Sequence, residues 1–322
     1  MNDAASNVMT LKVAAVNREA DGIVTFVLVD PAGRPLPSFG AGAHVDVHVP
    51  GGFLRQYSLC NDPTETRRYV IGVQRDAAGR GGSQRLHDLV KAGDTLPIGA
   101  PRNNFPLIDA AKRHRLIAGG IGVTPMMAMM WRLVATGADW HLDYCAREPA
   151  RTAFLDRLRR PPFAGRVTPH FDGGDPSKGL DVKRALATQG EGEHLYCCGP
   201  TGLMDAVKSA AAHWTTGTVH FEYFVNEGLD AGINAGFKVK IASSGAIYDV
   251  PADKSIMQVL REHGHDIDSS CEEGICGTCA TPVKEGQVDH RDAVLSDEEK
   301  ASNKWMMVCC SRAKSELLVL DL

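Results

Sequence analysis

A short segment near the end of the 322-residue sequence, SSCEEGICGTC, contains three cysteines. Four residues separate Cys271 from Cys276, two separate Cys276 from Cys279, and twenty-nine separate Cys279 from the adjacent pair Cys309 and Cys310. Four thiolates at gaps of this kind are typical of a plant-type [2Fe–2S] cluster. The spacing therefore predicts an electron-carrying iron–sulfur site, in which either Cys309 or Cys310 is the fourth ligand.

Two glycines interrupt this cysteine segment. Gly274 and Gly277 allow the backbone to adopt unusual dihedral angles and to approach a cluster closely, so that backbone N–H groups can stabilise the charge on sulfur. A structural zinc site that uses the pair Cys276 and Cys279 is the main alternative, but zinc ribbons usually combine two short-spaced pairs. A thioredoxin-like redox pair is less well supported, because that motif opens a helix after a strand.

The composition is that of a globular protein, with 43% hydrophobic and 23% charged residues and a net charge of -4. This balance, without a long basic run, gives no support to nucleic-acid binding. No apolar run approaches the roughly 20 residues of a membrane-spanning helix, and the first residues do not resemble a secretory signal. We therefore expect a cytosolic protein without a disulfide framework, in which the remaining cysteines are buried free thiols.

Three patterns of hydrophobic periodicity follow one another along the chain. Residues 1–108 contain short β-like runs between turn residues and predict a small antiparallel β-barrel. Residues 109–225 alternate apolar strands with helical stretches and predict a doubly wound α/β domain with a parallel sheet. A glycine-rich linker at 226–235 precedes an α+β segment at 236–322, with a hairpin, a helix and then the cysteine loop.

Two strand-to-helix turns in the α/β segment are candidates for nucleotide binding. In the first, AGGIGVTP, we expect Thr124 to be the helix N-cap and Pro125 the first helical residue. In the second, Cys198, Gly199 and Pro200 follow an apolar strand. Glycine turns at helix N-termini bind pyrophosphate, and two of them at one edge of a parallel sheet predict a nucleotide crevice.

The barrel segment contains a second candidate phosphate site. In RQYS, Arg55 and Tyr57 are two residues apart on a predicted strand and share a face, whereas Ser58 lies on the other. The glycine-rich GRGGS follows at a predicted helix start, where Arg55 or Arg80 could supply a counter-charge to a phosphate. This pattern alone is also compatible with an ordinary surface strand.

Two charged residues bear on the choice of nicotinamide cofactor. Asp172 follows the strand RVTPHF, where a carboxylate suits a ribose 2′-hydroxyl and repels a 2′-phosphate. Arg147, in YCAREP, would have the opposite effect if it faced the same position. The balance favours NADH over NADPH.

Taken in order, six segments resemble the phthalate dioxygenase reductase family over nearly the whole chain: RQYSLCNDP, GRGGSQRLHDLV, AGGIGVTPM, YCCGPTGLMD, VHFEYF and CEEGICGTC. The resemblance implies a flavin barrel, an NAD domain and a C-terminal β-grasp ferredoxin domain in one polypeptide. It also implies FMN rather than FAD. Electrons would pass from NADH through FMN and a [2Fe–2S] cluster to a Rieske-type oxygenase of aromatic catabolism.

The resemblance also assigns roles by position. The flavin would be bound by the RQYS strand and, around its ribityl phosphate, by residues of two further segments: Arg55, Gln56, Tyr57, Ser58, Gly72, Gln74, Arg80, Gly81, Gly82 and Ser83. The nicotinamide crevice would be formed by Gly120, Thr124, Cys198, Gly199 and Pro200. Ser58 and Glu222 would act near the reacting atoms, with Phe224 beside the isoalloxazine. The metal ligands would be Cys271, Cys276, Cys279 and Cys309.

Other functions remain possible on the sequence alone. A self-contained flavin-dependent monooxygenase would not need a separate one-electron carrier, and an NADH reductase could serve another acceptor. A zinc-stabilised nucleotide-binding regulator is the alternative from a different class. We expect a monomer that docks on its oxygenase without contacting membrane or nucleic acid. Glu272 and Glu273, beside the cluster, are either docking residues or a solvated face.

Overall fold

The computed structural model describes residues 8–77, 79, 81–224, 234–269 and 271–322. Its contacts divide the chain into two compact units, of which the first ends at Glu222 and the second begins at Tyr223. The first unit contains a six-stranded antiparallel sheet and a five-stranded parallel sheet, and the second contains a mixed sheet. Within the described residues, no helix is long and apolar enough to cross a membrane.

The antiparallel sheet of the first unit has the strand order β4-β3-β6-β1-β2-β5. It closes into a barrel because the segment after β4 pairs with β5, through a bridge between Leu59 and Ile71 and a 2.8 Å hydrogen bond from the Cys60 N–H to the Val70 carbonyl. Alternate apolar residues fill the interior, and α1 packs against β3 and β4. The predicted barrel is confirmed. The elements are β1 (Met9–Ala20), β2 (Ile23–Val29), β3 (His44–Val49), β4 (Phe53–Ser58), β5 (Tyr69–Gln74), α1 (Gly82–Leu89) and β6 (Thr95–Ile98).

The parallel sheet has the order β11-β10-β7-β8-β9, with all four pairings parallel. The chain starts in the middle at β7, proceeds to one side and then returns to the other, which is the doubly wound arrangement that the alternating pattern predicts. The order reverses between β7 and β10. The elements are β7 (Arg113–Gly119), α2 (Val123–Thr136), β8 (Asp139–Ala146), α3 (Leu155–Leu158), β9 (Val167–Phe171), α4 (Val182–Ala185), β10 (Glu193–Cys198), α5 (Thr201–Ala210) and β11 (Val219–Glu222).

The start of α2 differs from the prediction. A short 3-10 turn, Gly120–Gly122, precedes the helix, so Gly122 occupies the N-cap position and Thr124 already lies inside the first turn. The Thr124 hydroxyl donates to the Ile121 carbonyl at 2.9 Å instead of accepting from a helix N–H group. The N-cap assignment of Thr124 was therefore wrong, because the glycine turn continues directly into the helix. The helix ends at Gly137, which adopts the left-handed conformation usual after a helix.

The second unit is an α+β fold around a mixed sheet of order β13-β12-β18-β14-β16, with a separate pair β15-β17. Its core is formed by the apolar faces of β12, β18 and the buried side of α6. A capping box, Ser255 with Gln258, begins α6. The predicted α+β segment is confirmed. The elements are β12 (Phe237–Ile241), β13 (Ile247–Val250), α6 (Ile256–Glu262), β14 (Ala280–Glu285), β15 (Val288–Asp289), α7 (Asp297–Ser302), β16 (Trp305–Met307), β17 (Arg312–Ala313) and β18 (Leu317–Leu320).

A substitution at Gly42 tests the close packing between the barrel and α2. A Cβ atom there would lie 2.0 Å from the Phe105 carbonyl oxygen and 3.0 Å from Met129, and its φ is +90°. We expect Gly42→Ala to lower the free energy of unfolding by about 3 kcal/mol or more, because a backbone clash adds to the left-handed strain. Urea denaturation followed by circular dichroism measures this change.

Gly33→Ala is the matched control. Gly33 also has a positive φ, +71°, but open space surrounds its Cα. The control should cost only about 1 kcal/mol, from backbone strain alone. Equal losses in the two variants would contradict the steric explanation.

Candidate cofactor and cluster sites

The point where the strand order reverses forms the candidate nucleotide crevice. The loops after β7 and β10 meet there so closely that only glycine fits at several positions. A Cβ on Gly122 would lie 2.2 Å from the Cys198 carbonyl oxygen, and one on Gly199 would lie 2.9 Å from the Gly119 Cα. In contrast, Gly120 has a φ of +54° and open space around it. Packing explains the neighbouring glycines, and Gly120 is the one that faces a possible ligand.

The barrel approaches the same crevice at Gly72. A Cβ on this residue would lie 2.9 Å from the Thr124 methyl group and 3.6 Å from the Phe154 ring. The structure thus brings together a residue predicted to bind flavin and one predicted to bind nicotinamide. Two cofactors that exchange a hydride must lie side by side, so this close contact between β5 and α2 is the arrangement that the chemistry requires.

Glu222 contributes a buried carboxyl group next to Cys198. The two residues are register partners on β11 and β10. Burial raises the pKa of Glu222 to about 8, and its Oε2 atom has no hydrogen-bond partner among the described residues. Burial and the nearby Glu222 carboxyl also raise the pKa of the Cys198 thiol well above its usual value. At neutral pH this corner of the crevice therefore holds two neutral, protonated groups that could face a bound ring.

Ser58 is a second buried polar residue without a partner. Its side chain is 3% exposed, and its hydroxyl oxygen makes no hydrogen bond among the described residues. Buried hydroxyl groups are almost always paired, and an unpaired one costs on the order of 1–3 kcal/mol. An unsatisfied hydroxyl at the end of β4 fits a polar cofactor atom that completes its hydrogen bonding.

The N-terminus of α1 has the features of a phosphate cradle. Gly81, with φ +88°, occupies the N-cap position and provides no side-chain cap. The Arg55 side chain lies against Gly82, since a Cβ there would be 2.9 Å from Nε. Unpaired helix N–H groups beside a guanidinium are a favourable environment for a phosphate. Arg80, also predicted here, lies outside the described residues.

The remaining residues of the predicted flavin site are Gln56, Tyr57, Gln74 and Ser83. The Ser83 hydroxyl accepts a hydrogen bond from the Asp76 N–H at 3.1 Å, and Gln74 is exposed at the end of β5. Burial raises the pKa of Tyr57 to about 12, so this side chain is a neutral phenol against the barrel core. Gln56 donates to Asp46 at 3.2 Å, on the side of the strand away from Arg55 and Tyr57. A role for Gln56 in flavin binding stays a prediction.

Asp172 and Arg147 follow adjacent strands, as their sequence positions predict. The Gly173 N–H donates to the Arg147 carbonyl at 2.9 Å, which joins the two strand ends. The Asp172 carboxylate accepts a 2.7 Å hydrogen bond from the Gly174 N–H, and the Arg147 side chain is exposed. Both residues therefore lie at the carboxyl edge of the sheet. Phe224 follows β11 by two residues and belongs to the second unit.

The cysteine loop of the second unit directs backbone N–H groups toward sulfur. The Glu273 and Ile275 N–H groups donate to the Cys271 sulfur at 3.3 and 3.5 Å. Gly274 and Gly277 have φ values of +69° and +75°, which confirms that both glycines supply left-handed turns. Hydrogen bonds to thiolate sulfur are what an iron–sulfur cluster needs from its loop.

The four predicted ligands form two pairs. The Cys271 and Cys276 thiols lie within hydrogen-bonding reach of each other, and Cys279 lies beside Cys309. Two pairs suit two iron atoms better than one zinc ion.

A side-chain contact distinguishes Cys309 from Cys310. The register of β14 and β16 places Val308 opposite Cys279, and just beyond it the Cys309 thiol lies within hydrogen-bonding reach of the Cys279 thiol. The Cys310 thiol instead turns back toward the Met307 carbonyl at 3.8 Å. The geometry supports Cys309 as the ligand and a packing role for Cys310.

Sequence reasoning missed the residues that hold the cysteine loop from outside. The Ala293 N–H donates to the Gly274 carbonyl at 2.9 Å, and Arg261 on α6 forms an ion pair with Glu272 at 2.8 Å. Neither contact has a local sequence signal. The only indication was an arginine in the last turn of the helix that precedes the loop.

Comparison with known proteins gives the family. Residues 239–314 match the model of the 2Fe-2S iron-sulfur cluster binding domain. The chain is 46% identical to the phthalate dioxygenase reductase of Burkholderia cepacia, over 98% of this chain and 97% of that protein. It belongs to the phthalate dioxygenase reductase family.

Two further relatives agree. A reductase subunit of Aquincola tertiaricarbonis, named for a tert-butanol monooxygenase and tert-amyl alcohol desaturase, is 47% identical over 98% of this chain and 96% of its own length. The solved structure of a phthalate dioxygenase reductase, described as modular for electron transfer from pyridine nucleotides to [2Fe–2S], has a TM-score of 0.79 at 46% identity, and the match covers 98% of both chains. The predicted fold class, oxidoreductase class and cofactors NADH, FMN and [2Fe–2S] are confirmed.

The adjacent cysteines offer a direct test of the ligand set. We expect Cys309→Ser to abolish the visible absorption of the cluster, because the residue beside Cys279 is lost. Cys310→Ser should retain it, since that thiol faces the Met307 carbonyl. Iron content and absorption spectra of the purified variants measure both. Loss of the cluster in Cys310→Ser with retention in Cys309→Ser would reverse the assignment.

Glu222 should make stability depend on pH. Its pKa is about 8 in the folded protein and 4.5 ordinarily, so the unfolded chain loses the proton first and stability falls as pH rises between these values. Glu222→Gln, which stays neutral, should gain stability relative to the wild type across this range and hold a constant advantage above it. Urea denaturation at several pH values measures the difference, and a difference that does not change with pH would contradict the buried acid.

Proposed function

We propose that this chain is the reductase component that carries electrons from NADH through FMN and a [2Fe–2S] cluster to a Rieske-type oxygenase. The proposal depends on two features that occur in one chain. Four cysteine thiols lie together in two pairs, and a doubly wound sheet carries a glycine-lined crevice at the reversal of its strand order. The family relatives named for oxygenase systems support an oxygenase as the acceptor.

The flavin site proposed here lies between β4, β5 and the start of α1. Arg55 and the N-terminus of α1 at Gly81 and Gly82 would bind the ribityl phosphate, with Gln74 and Ser83 near it, and Arg80 is assigned to the same phosphate by resemblance. Tyr57 and Ser58 would hold the ring system, and the buried Ser58 hydroxyl, which has no partner among the described residues, would donate a hydrogen bond to it. Gln56 supports the strand through Asp46.

The nicotinamide site proposed here is the crevice at the reversal of strand order. Gly120 and Thr124 line one wall, and Cys198, Gly199 and Pro200 line the other. Glu222 closes the end of the crevice, and Phe224 is assigned to the flavin ring by resemblance. Asp172 binds the ribose 2′-hydroxyl and repels a 2′-phosphate, which favours NADH.

The protein's own contribution is to position the two cofactors and to keep the Ser58 hydroxyl and the Glu222 carboxyl group protonated beside them. A flavin held in this site would supply the conversion between the two-electron chemistry of NADH and the one-electron chemistry of an iron–sulfur cluster. Ser58 and the protonated Glu222 supply neutral hydrogen-bond donors in a buried space, where such bonds are stronger than in water. Neither residue needs to transfer a proton to substrate, so both act by orientation.

The wider setting follows from these cofactors. Cluster ligands must stay reduced before assembly and NADH is an intracellular reductant, so we place the protein in the cytoplasm as a monomer that docks transiently on its oxygenase. Residues 1–108, 109–225 and 236–322 are the proposed flavin, NAD and ferredoxin domains, joined by a linker at 226–235. An NADH reductase for a different acceptor is the alternative, and it differs only in the last step.

Anaerobic single-turnover kinetics test the proposed function. NADH should bleach the flavin absorption and then the cluster absorption, and NADPH should be less effective by about tenfold or more, as expected for one repelled charge. Flavin released by heat should be identified as FMN. A protein whose flavin is not reduced by NADH would overturn the proposal.

The Cys309→Ser variant separates the two halves of the pathway. It should keep NADH-driven flavin reduction, because the first unit is unchanged, and it should fail to reduce a purified Rieske oxygenase. Reduction of the oxygenase at the wild-type rate would show that electrons leave from the flavin directly and would contradict the cluster as the last carrier.

A further inference from the structure

Arg261, near the end of α6, makes three contacts with the segment that leads into the cysteine loop. One terminal nitrogen donates to the Glu272 carboxylate at 2.8 Å. The other donates to the Ile267 carbonyl at 3.1 Å and to the Ser269 hydroxyl. The Ser269 hydroxyl in turn donates to the same Glu272 oxygen at 3.1 Å. We refer to Arg261, Ser269 and Glu272 as the loop clamp.

Glu272 has an unusual backbone conformation for its residue type. Its φ is +56°, in the left-handed region that glycine tolerates and other residues adopt at a cost of about 1–2 kcal/mol. It also lies directly between the ligand Cys271 and Glu273. A residue stays in this region only when surrounding contacts hold it there. The loop clamp is the set of contacts that does so.

The left-handed turn at Glu272 determines where the next N–H groups point. After this turn the Glu273 N–H lies 3.3 Å from the Cys271 sulfur, and the Ile275 N–H lies 3.5 Å from it. Hydrogen bonds to a ligand sulfur stabilise the more negative, reduced form of a cluster and so raise its reduction potential. A side chain on α6 is thereby connected to the electronic properties of the cluster site.

We propose that Arg261 and Glu272 are positioning residues that tune the [2Fe–2S] cluster by holding the N–H groups of its loop on the Cys271 sulfur. The proposal rests on the proposed function, because it requires the cluster. It gives the Arg261–Glu272 ion pair a role beyond stability: the two side chains are 40% and 48% exposed, and exposed pairs contribute little to folding. What the clamp fixes is the conformation of one turn.

Two substitutions at Glu272 isolate this effect from simple electrostatics. Glu272→Ala and Glu272→Gly remove the same charge and the same ion pair, but only glycine adopts the positive φ without strain. Loss of a negative charge alone would raise the reduction potential equally in both. If the turn is what matters, Glu272→Ala should have a lower potential than Glu272→Gly, and it should lose its cluster to a chelator about tenfold faster.

Variants of Arg261 provide the second part of the experiment. Arg261→Ala should lower the reduction potential and speed cluster loss, and Arg261→Lys, which can still pair with Glu272, should restore part of both. Lys254→Ala is the matched control, because Lys254 forms a similarly exposed ion pair with Glu262 on the same helix and makes no hydrogen bond or ion pair with the described residues of the cysteine loop. The control should retain the wild-type potential.

The measurements are redox titrations followed by electron paramagnetic resonance, together with chelator kinetics on the full-length holoprotein. Equal potentials in Glu272→Ala and Glu272→Gly, both above the wild type, would overturn the proposal in favour of a purely electrostatic effect. A lower potential in Glu272→Ala than in Glu272→Gly supports it, wherever the two values lie relative to the wild type. A wild-type protein without the cluster signal would instead contradict the proposed function, so the two failures are distinguishable.

Discussion

The candidate sites of this chain all depend on one interaction, in which backbone N–H groups stabilise the negative charge of a bound group. A flavin phosphate, a nucleotide pyrophosphate and an iron–sulfur cluster are all anionic, and each needs donors that secondary structure does not already use. The chain supplies them where the backbone turns to positive φ: at Gly81 before α1, at Gly120 after β7 and at Gly274 in the cysteine loop. The strands and helices that flank these turns fix their positions.

The same constraint explains why one left-handed position is not a glycine. Glu272 adopts φ +56° with a carboxylate that Arg261 and Ser269 bind. A glycine would take this conformation freely but would also allow others in the absence of a cluster. A charged residue held by α6 restricts the turn to one conformation, at the cost of some strain. The loop is in this sense organised by a helix outside it.

Buried polar atoms without partners are the second physical feature that marks function. Ser58 and Glu222 each leave a buried oxygen unsatisfied among the described residues, in a chain whose other buried polar groups are mostly paired. Such atoms destabilise the protein alone and are explained if a bound ring completes their hydrogen bonds. For Glu222, burial is the cause of the raised pKa, which keeps the acid protonated at neutral pH.

Much of this could be predicted from sequence because the signals are local. The cysteine gaps, the alternation of strands and helices, and the glycine turns all depend on neighbours in the chain. The choice between Cys309 and Cys310 could not, because it depends on which of the two thiols the fold brings against the distant Cys279. The start of α2 was misplaced at Thr124, because the sequence does not show that a 3-10 turn runs into the helix.

The acidic pair beside the cluster shows most clearly what long-range contacts add. From sequence, Glu272 and Glu273 were equally compatible with a docking role and with solvation. In the structure Glu272 forms an ion pair with Arg261. A partner protein that bound this carboxylate would therefore have to compete with the Arg261 guanidinium. Such competition would loosen the turn that directs N–H groups to Cys271. A partner that recognises the acidic loop through Glu272 would therefore also alter the cluster, which couples docking to electron transfer through one ion pair.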